Sequence, residues 1–356
     1  MPKVSFVLPI FNMEKYLHRC LKSIQAQTDP DFEAILVDDG STDDTANICM
    51  EYTKSDSRFL YIYQKNAWQA AARNTGLERV CGEFVAFVDP DDYIESNYIE
   101  ILYSYAKETS ADIICFGYQW NRNIDDTVFV EKPKQEKIVD ITSTSLIRHF
   151  CQDWLLPQRM NFVWSKLYRR QFLDGTGIKF NVATRYGEDR NFCYKLLVQS
   201  KRTVYMTEAP YFYFQHNKST IRSMPITDNL FRIMIETYYD ILDYWRKKEV
   251  VEFDLIKPVI LLRMLQGAVF NTLQSIDNVP AMAEAAESAF AEFPLSEELS
   301  MEKLQKGIFA YAEICGLNWG EQSKLWLFAL SLLGGKDGIV TWQELYPGYS
   351  KLLDMK

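Results

Sequence analysis

Three acidic clusters offer chemistry in this 356-residue chain: Asp38-Asp39-Gly40-Ser41, Asp89-Pro90-Asp91-Asp92 and Glu188-Asp189. Carboxylates gathered at one place repel one another unless a cation or hydrogen bonds neutralise them, so a divalent metal is a physically motivated reading of the first two. Asp89 and Asp91, with one residue between them, can aim into a single cavity from a turn. The bland alternative for Asp38–Ser41 is a strand-to-helix turn with capping, and for Glu188-Asp189 an acidic pair favoured by a helix dipole. With only His18, His149 and His216 present, none close to another, a metal site would be built mainly from carboxylates, which suits magnesium or manganese. Neither glycine-rich phosphate fingerprint is present, so nucleotide phosphates would be held by metal and side chains. A metal so placed neutralises charge that grows on a departing diphosphate.

Composition narrows what can carry these clusters. Hydrophobic residues make up 47% and charged residues 24%, which excludes disordered, collagen-like and coiled-coil chains. The 39 basic and 48 acidic residues leave a net charge of −9, the wrong sign for gripping nucleic acid through its phosphates. Seven scattered cysteines, without a C-x-x-C pair, read as reduced core residues and argue against disulfides or zinc. No stretch reaches the roughly 18 apolar residues of a membrane span, and Met1–Ile10 runs into a strand without a basic leader. The expected location is the cytoplasm.

The elements that must position the acids follow an α/β rhythm. Strand-like runs at Val4–Ile10, Ala34–Val37, Phe59–Tyr63, Phe84–Val88 and Ile113–Phe116 alternate with helical spacing at Met13–Gln27, Asp43–Lys54, Gln69–Val80 and Asn97–Thr109, with caps expected at Asn12, Thr42 and Ser96. That order predicts a mostly parallel sheet, with ligands outside the carboxyl ends of its strands, where Asp39 and Asp89 fall. Asn121–Asp140 reads as a polar loop or insertion. Helical spacing follows at Thr142–Asp153, Asn161–Leu173 and Asp189–Gln199, with strands at Thr203–Met206 and Tyr211–Phe214. After Pro225, five amphipathic helices are expected at Asn229–Lys248, Leu255–Ser275, Pro280–Phe293, Met301–Cys315 and Glu321–Leu333. Residues Tyr238, Tyr239, Tyr244 and Trp245, ahead of the basic run Arg246–Lys248, and the apolar run Leu325–Leu333 admit either a membrane surface or a packed core.

Four segments in order, Val4–Asn12, Val37–Asp43, Ala72–Leu77 and Phe87–Asp92, resemble the signature of family 2 glycosyltransferases, and Val163–Tyr168 and Gly187–Phe192 resemble the family's later landmarks. The resemblance covers about residues 1 to 222. It implies a GT-A nucleotide-diphospho-sugar transferase domain over 1–224, with a nucleotide-sugar half at 1–118 and an acceptor-side half at 119–224, followed by a helical subdomain at 225–356. It also implies transfer of a sugar, with inversion, from a nucleotide diphosphate donor that is by default UDP-linked. The acceptor would be a hydroxyl of a saccharide or lipid-linked saccharide in surface polysaccharide assembly. Carried over by residue, the segment at Pro9 and Phe11 lines the nucleobase pocket and Asp39 faces the base. Arg73 and Asn74 lie against the donor, Asp89 sits near the ribose or sugar, Asp91 holds Mn2+ or Mg2+, and Asp92 stands behind it or touches the sugar. Asp189, beside Glu188, resembles the general base; inversion requires a proton acceptor on the face opposite the leaving group.

Further candidates are His216 as a metal ligand, Arg222 as a phosphate contact and Lys166 near donor or acceptor, each against an ordinary structural role. Trp68 stands where the family often has glycine, and its ring would stack on a sugar, narrow the donor pocket or simply pack at a helix start. The tail is expected to serve acceptor use, contact with the inner face of the membrane or homodimerisation. Two other enzyme classes fit less well: a nucleotidyltransferase lacks its glycine- and lysine-rich loop at Leu8–Asn12, and a phosphohydrolase would want a small hydroxyl residue where Tyr93 stands. A catalytically degenerate nucleotide-sugar-binding subunit is the alternative outside enzymology.

Overall fold

The computed structural model describes residues 1–123, 126–141, 143–155, 161–184, 186–216, 228–250, 253–272, 288–289, 293 and 299–318. The chain divides into two units, Met1–Ser145 with Arg159–His216, and Leu146–Gln158 with Asn217–Lys356. Leu146–Gln158, which the sequence places in the acceptor-side half, thus joins the second unit.

In the first unit the chain runs β1 (Val4–Ile10), α1 (Leu17–Gln25), β2 (Phe32–Asp38), α2 (Thr45–Ser55), β3 (Phe59–Tyr63), α3 (Trp68–Leu77), β4 (Phe84–Phe87), β5 (Tyr93–Ile94), α4 (Tyr98–Thr109), β6 (Ile113–Cys115), β7 (Tyr118–Asn123), β8 (Asp126–Glu131) and β9 (Lys137–Asp140). After α5 (Ser143–His149) and a π-helical turn at Phe150–Leu155 come β10 (Lys166–Arg169), α6 (Arg170–Thr176), α7 (Glu188–Leu197), β11 (Arg202–Tyr205) and β12 (Tyr211–Phe214). Eight strands form one sheet in the order β3-β2-β1-β4-β10-β6-β11-β9. Every residue of β1 is buried, because helices cover both faces of the sheet, and its continuous apolar run is what such a strand requires. A second sheet has the order β5-β12-β7-β8.

The parallel βα pattern is as the sequence predicts: β1–β2, β2–β3, β1–β4 and β6–β11 all pair in parallel. Three expectations are corrected. Asn161–Leu173 is not one helix but holds β10, which wedges antiparallel between β4 and β6. Asn121–Asp140 is not an insertion loop; β8 and β9 lie within it, and it is polar because β9 is half turned to solvent with Ile138 and Asp140 exposed. The expected caps do not cap: α1, α2 and α4 begin after Tyr16, Asp44 and Asn97 without a side-chain cap bond. Asn12 instead takes up φ 53° and accepts the Thr42 N–H at 2.8 Å, while its own N–H donates to Ser41 Oγ at 3.0 Å. Two loops at the carboxyl edge of the sheet are thereby laced together.

The second unit holds α8 (Asp228–Lys247), α9 (Lys257–Thr272) and α10 (Met301–Cys315) among its described residues. Tyr238 and Trp245 are buried, and Trp245 lies 5.5 Å from Phe150 and 4.3 Å from Phe253 between ring centroids. Those rings belong to this unit's core rather than to a membrane face; Tyr239 stays exposed. No described helix is long and apolar enough to cross a membrane. The helix expected at Glu321–Leu333 and nearly all of that at Pro280–Phe293 lie outside the described residues.

Helix α3 lies close on β1 because Gly76 has no side chain there: a Cβ at that position would stand 2.4 Å from Val7 Cγ1. Gly76→Ala should therefore lower stability by about 1–3 kcal/mol through overpacking, measured as a lower denaturant midpoint at unchanged slope.

Candidate active site

The acidic clusters meet at the carboxyl edge of β1, β2 and β4, where the sheet rule places a ligand. At their centre is Arg73, a side chain 1% exposed that projects from α3. Its Nη1 donates to Asp189 Oδ1 at 2.5 Å and Glu188 Oε1 at 3.0 Å, and its Nη2 to Asp89 Oδ1 at 3.2 Å. Gln69, one turn earlier, completes the knot when its amide is oriented to suit both neighbours: its nitrogen reaches Glu188 Oε1 at 3.2 Å and its oxygen accepts from Arg73 Nη2 at 3.1 Å. Gly187, at φ 75°, delivers both acids at the start of α7.

One cation among three carboxylates leaves an excess of negative charge in a buried place. Burial opposes the charge on Arg73, but Asp189, Asp89 and Glu188 outweigh it and hold the guanidinium protonated. Burial, with Asp189 adding repulsion, raises Glu188 to about 8, against the pull of Arg73. Burial, then Asp91 and Asp189, raises Asp89 to about 7 against the same pull.

Beside this knot lies a second pair. Asp91 Oδ2 is 2.9 Å from His216 Nε2, and the imidazole stacks on Tyr16 with centroids 4.4 Å apart. The Asp91 carbonyl also accepts from Arg19 at 2.5 Å, and Arg19 in turn lies over the Phe214 ring. Among the described residues no three acidic, histidine or cysteine side chains converge as a ready-made metal cage. A carboxylate with an imidazole nevertheless fits Mg2+ or Mn2+ when substrate phosphates and water fill the remaining positions.

On the β2 side, Asp39 is buried, and its Oδ1 accepts from Gln64 Nε2 at 2.6 Å and from the Ala67 N–H at 2.9 Å. Its Oδ2 takes no hydrogen bond among the described residues. Phe11, just past β1, is exposed, whereas Pro9 is buried within the strand opposite Val37.

Several expected contacts are otherwise engaged. Asn74 exchanges two 2.9 Å hydrogen bonds with the backbone of Phe180, so it straps the 180 loop to α3 instead of facing a donor. Asp92 is fully buried and accepts from Tyr211 Oη at 2.6 Å and from the Phe214 N–H at 2.8 Å, anchoring β12 to the loop after β4. Lys166 is also fully buried on β10, with Nζ on the Phe162 carbonyl at 2.5 Å; a central strand, not a substrate, holds it. Asp38 is structural too, accepting from the Ser41 N–H and from Tyr61 Oη, both at 2.8 Å. Arg222 lies outside the described residues. Sequence reasoning missed Gln69 and Gln64, whose partners lie on other segments and leave no local pattern.

The raised value of Glu188 fixes a pH dependence. A carboxyl whose pKa goes from an ordinary 4.5 to about 8 on folding binds more protons in the native state, so its contribution to stability is present at low pH and lost as pH rises across that window. Glu188→Gln removes this titration: its unfolding midpoint relative to the parent should shift in the variant's favour from pH 5 to pH 8, and thermal unfolding across that range measures it.

Against this geometry, comparison with known proteins is consistent. Residues 5–177 match the family model "Glycosyl transferase family 2". Glycosyltransferase GlyA of Streptococcus pneumoniae is 35% identical over 215 residues, covering 59% of this chain and 30% of GlyA. The poly(ribitol-phosphate) beta-N-acetylglucosaminyltransferase TarP of Staphylococcus aureus is 31% identical over 219 residues, 60% of this chain and 62% of TarP. The chain thus spans less than two thirds of the length of either relative. Among solved structures, S. aureus TarS 1–349 in complex with UDP-GlcNAc superposes with a TM-score of 0.65 at 21% identity, covering 98% of this chain and 92% of that one. The chain carries a family 2 glycosyltransferase domain with the GT-A fold.

Proposed function

We propose that the protein is an inverting, metal-dependent glycosyltransferase that moves a sugar from a UDP-linked donor to a hydroxyl of a saccharide or lipid-linked saccharide acceptor. The observation that carries the reading is the convergence on Arg73 of Asp89, from the loop after β4, with Glu188 and Asp189, from the start of α7, next to the Asp91–His216 pair. Two stations, one for a diphosphate and one for a proton, are supplied by separate parts of the chain. TarP acts, by its name, as an N-acetylglucosaminyltransferase, and TarS has been solved with UDP-GlcNAc, which supports a uridine donor here.

Asp39 Oδ2 can accept the imide N–H of uracil; cytosine presents an acceptor at that ring position and would be repelled. Asp91 and His216 would hold Mg2+ or Mn2+, which when bound supplies positive charge against the leaving diphosphate. Arg73 holds Asp89 and Asp189 in fixed relation, so that neither has to reorganise during reaction. Asp189 takes the proton of the acceptor hydroxyl as that oxygen attacks the anomeric carbon.

Thermal denaturation with UDP, GDP and dTDP, each with and without manganese, tests the donor site. A metal-dependent rise with UDP is expected, because a ligand that binds only the native state stabilises it. Asp91→Ala should abolish the manganese-dependent part of that rise, and equal shifts in both proteins would remove Asp91 from the metal site. Asp189→Asn should leave UDP-sugar binding within a few fold while lowering transfer at least 100-fold, the scale of general base catalysis. Undiminished transfer by Asp189→Asn would assign the base elsewhere, and binding without transfer in the parent protein would support the degenerate subunit.

A further inference from the structure

Lys166 carries a positive charge at a place where the sheet itself calls for none. Its strand, β10, lies between β4 and β6 in the larger sheet, and its side chain is fully buried, like those of Ser165 and Leu167 on either side. An aliphatic chain of similar volume would fill such a site at a lower desolvation cost than an ammonium, whatever the ammonium is paired with. One of its contacts leads to the candidate active site. Nζ donates to the carbonyl of Phe162 at 2.5 Å, and Ser165 Oγ donates to the same oxygen at 3.2 Å. That carbonyl belongs to the peptide unit joining Phe162 to Val163, and a trans peptide is a rigid plane whose C=O and N–H point in opposite directions. On the far side of this plane, the Val163 N–H donates to Asp189 Oδ2 at 3.4 Å. The next peptide is tied to the same strand, since Tyr168, two residues on from Lys166 and on the same face of β10, donates from Oη to the Val163 carbonyl at 3.4 Å. The backbone at Phe162–Val163 is therefore held by β10 on one side and meets the proposed base on the other. Lys166 and Asp189 also act on a common neighbour: the Cys193 thiol on α7, raised first by burial, is lowered by the ammonium and raised by the carboxylate.

We propose that Lys166 is a positioning residue for Asp189, acting through the Phe162–Val163 peptide unit to aim a polarised N–H at Oδ2 of the carboxylate. The inference rests on the reading of Asp189 as the base and deepens it. Arg73 grips Oδ1 at 2.5 Å, and a carboxylate held by one oxygen can still turn. Val163 supplies the second hold. A positive charge on the carbonyl end of a peptide strengthens the donor at its other end, because linked hydrogen bonds polarise one another. The bond at Oδ2 is the longer of the two, so that oxygen is the less committed one and keeps a further lone pair for the acceptor proton. Misplacing a reacting group by ~1 Å costs up to about 100-fold in rate, so a hold of this kind is felt in the chemical step rather than in binding.

The test uses Lys166→Met, which keeps an unbranched chain without the charge, and Lys166→Gln, which keeps a neutral donor and serves where the first variant does not fold. In protein labelled isotopically at valine nitrogen, the Val163 amide is identified by its loss in Val163→Ile. Its proton resonance should move upfield in Lys166→Met and in Asp189→Asn, because each removes part of the polarisation of that N–H; this readout needs no substrate. Release of UDP from UDP-GlcNAc in manganese is the second readout. Lys166→Met should lower kcat about tenfold or more with KM within twofold, and should lower it by less than twofold when Asp189 is already replaced by Asn. A purely structural role would lower both backgrounds by the same factor, and that result overturns the proposal. So does a Val163 resonance that Lys166→Met and Lys166→Gln both leave in place. Unchanged kcat in Lys166→Met beside a disabled Asp189→Asn overturns this proposal alone, whereas full turnover by Asp189→Asn overturns the base reading and this proposal with it.

Discussion

A single buried guanidinium holds the candidate active site in one piece. Arg73 is taken almost wholly out of water, which costs far more than any one surface ion pair returns, and the cost is met only because three carboxylates surround it. Those carboxylates come from positions 16, 115 and 116 residues away, so the knot forms only when β4, α3 and α7 have all found their places. Breaking it would strand acids in the interior, each of which would have to take up a proton or draw in water. The site and the fold of the first unit are for this reason hard to separate: the interaction that aligns Asp189 with Asp89 also ties the start of α7 to the centre of the sheet.

Around that knot the acidic residues divide their labour by burial. Asp38 and Asp92, the most deeply placed, spend both oxygens on the protein itself and shape the loops after β2 and β4. Among the described residues, Asp39, Asp89 and Asp91 each engage one carboxylate oxygen with another side chain or backbone group, which leaves the other open to the proposed donor and metal. Sequence alone sees five aspartates in two clusters; the hydrogen bonds separate structural from available carboxylates. Burial of neighbouring aromatic rings does similar work, since Trp164 stacks on Tyr211 at 4.6 Å between centroids and fixes the strand whose hydroxyl holds Asp92.

The central parallel strands were legible because they are buried on both faces and therefore spell unbroken apolar runs, and Val4–Ile10 coincides with β1 to the residue. Phe59–Tyr63 and Tyr211–Phe214 also coincide with observed strands, although β3 is a partly exposed edge strand and β12 lies in the second sheet. β10 was not legible: Lys166 and Tyr168 sit in a run whose spacing also fits a helix, and only pairing with β4 and β6, far away in sequence, decides it. Asn12 looks like a cap because its side chain does seek a backbone N–H, but the one it finds, that of Thr42, belongs to another loop, and the Thr42 hydroxyl donates to the same Asn12 oxygen. In the site, the motifs named Arg73, Asp89 and Asp189 individually, whereas their mutual contact, and the supporting role of Gln69, exist only in three dimensions. Asn74 shows the converse: a residue inside a signature segment can be kept for strapping two pieces of backbone together.

The charge balance of the edge supplies the physical support for the proposed divalent cation. A nucleotide diphosphate would bring negative charge to a place already occupied by Asp39, Asp89, Asp91, Glu188 and Asp189, in a chain whose net charge is −9. Two guanidiniums stand there among the described residues, and neither is at liberty: Arg73 is consumed by its three acids, and Arg19 is turned onto the Asp91 carbonyl and the Phe214 ring. No glycine-rich cradle of backbone N–H groups is present in the sequence to take the phosphates instead. Like charges brought within a few ångströms at low dielectric repel strongly. Protonation relieves part of this, as the raised values of Asp89 and Glu188 show, but a proton on an acid cannot draw the phosphates in. A divalent cation held by Asp91 and His216 would do both at once: it would offset the excess of the acids and would supply the leaving group with the counter-charge that Arg73 and Arg19 cannot spare.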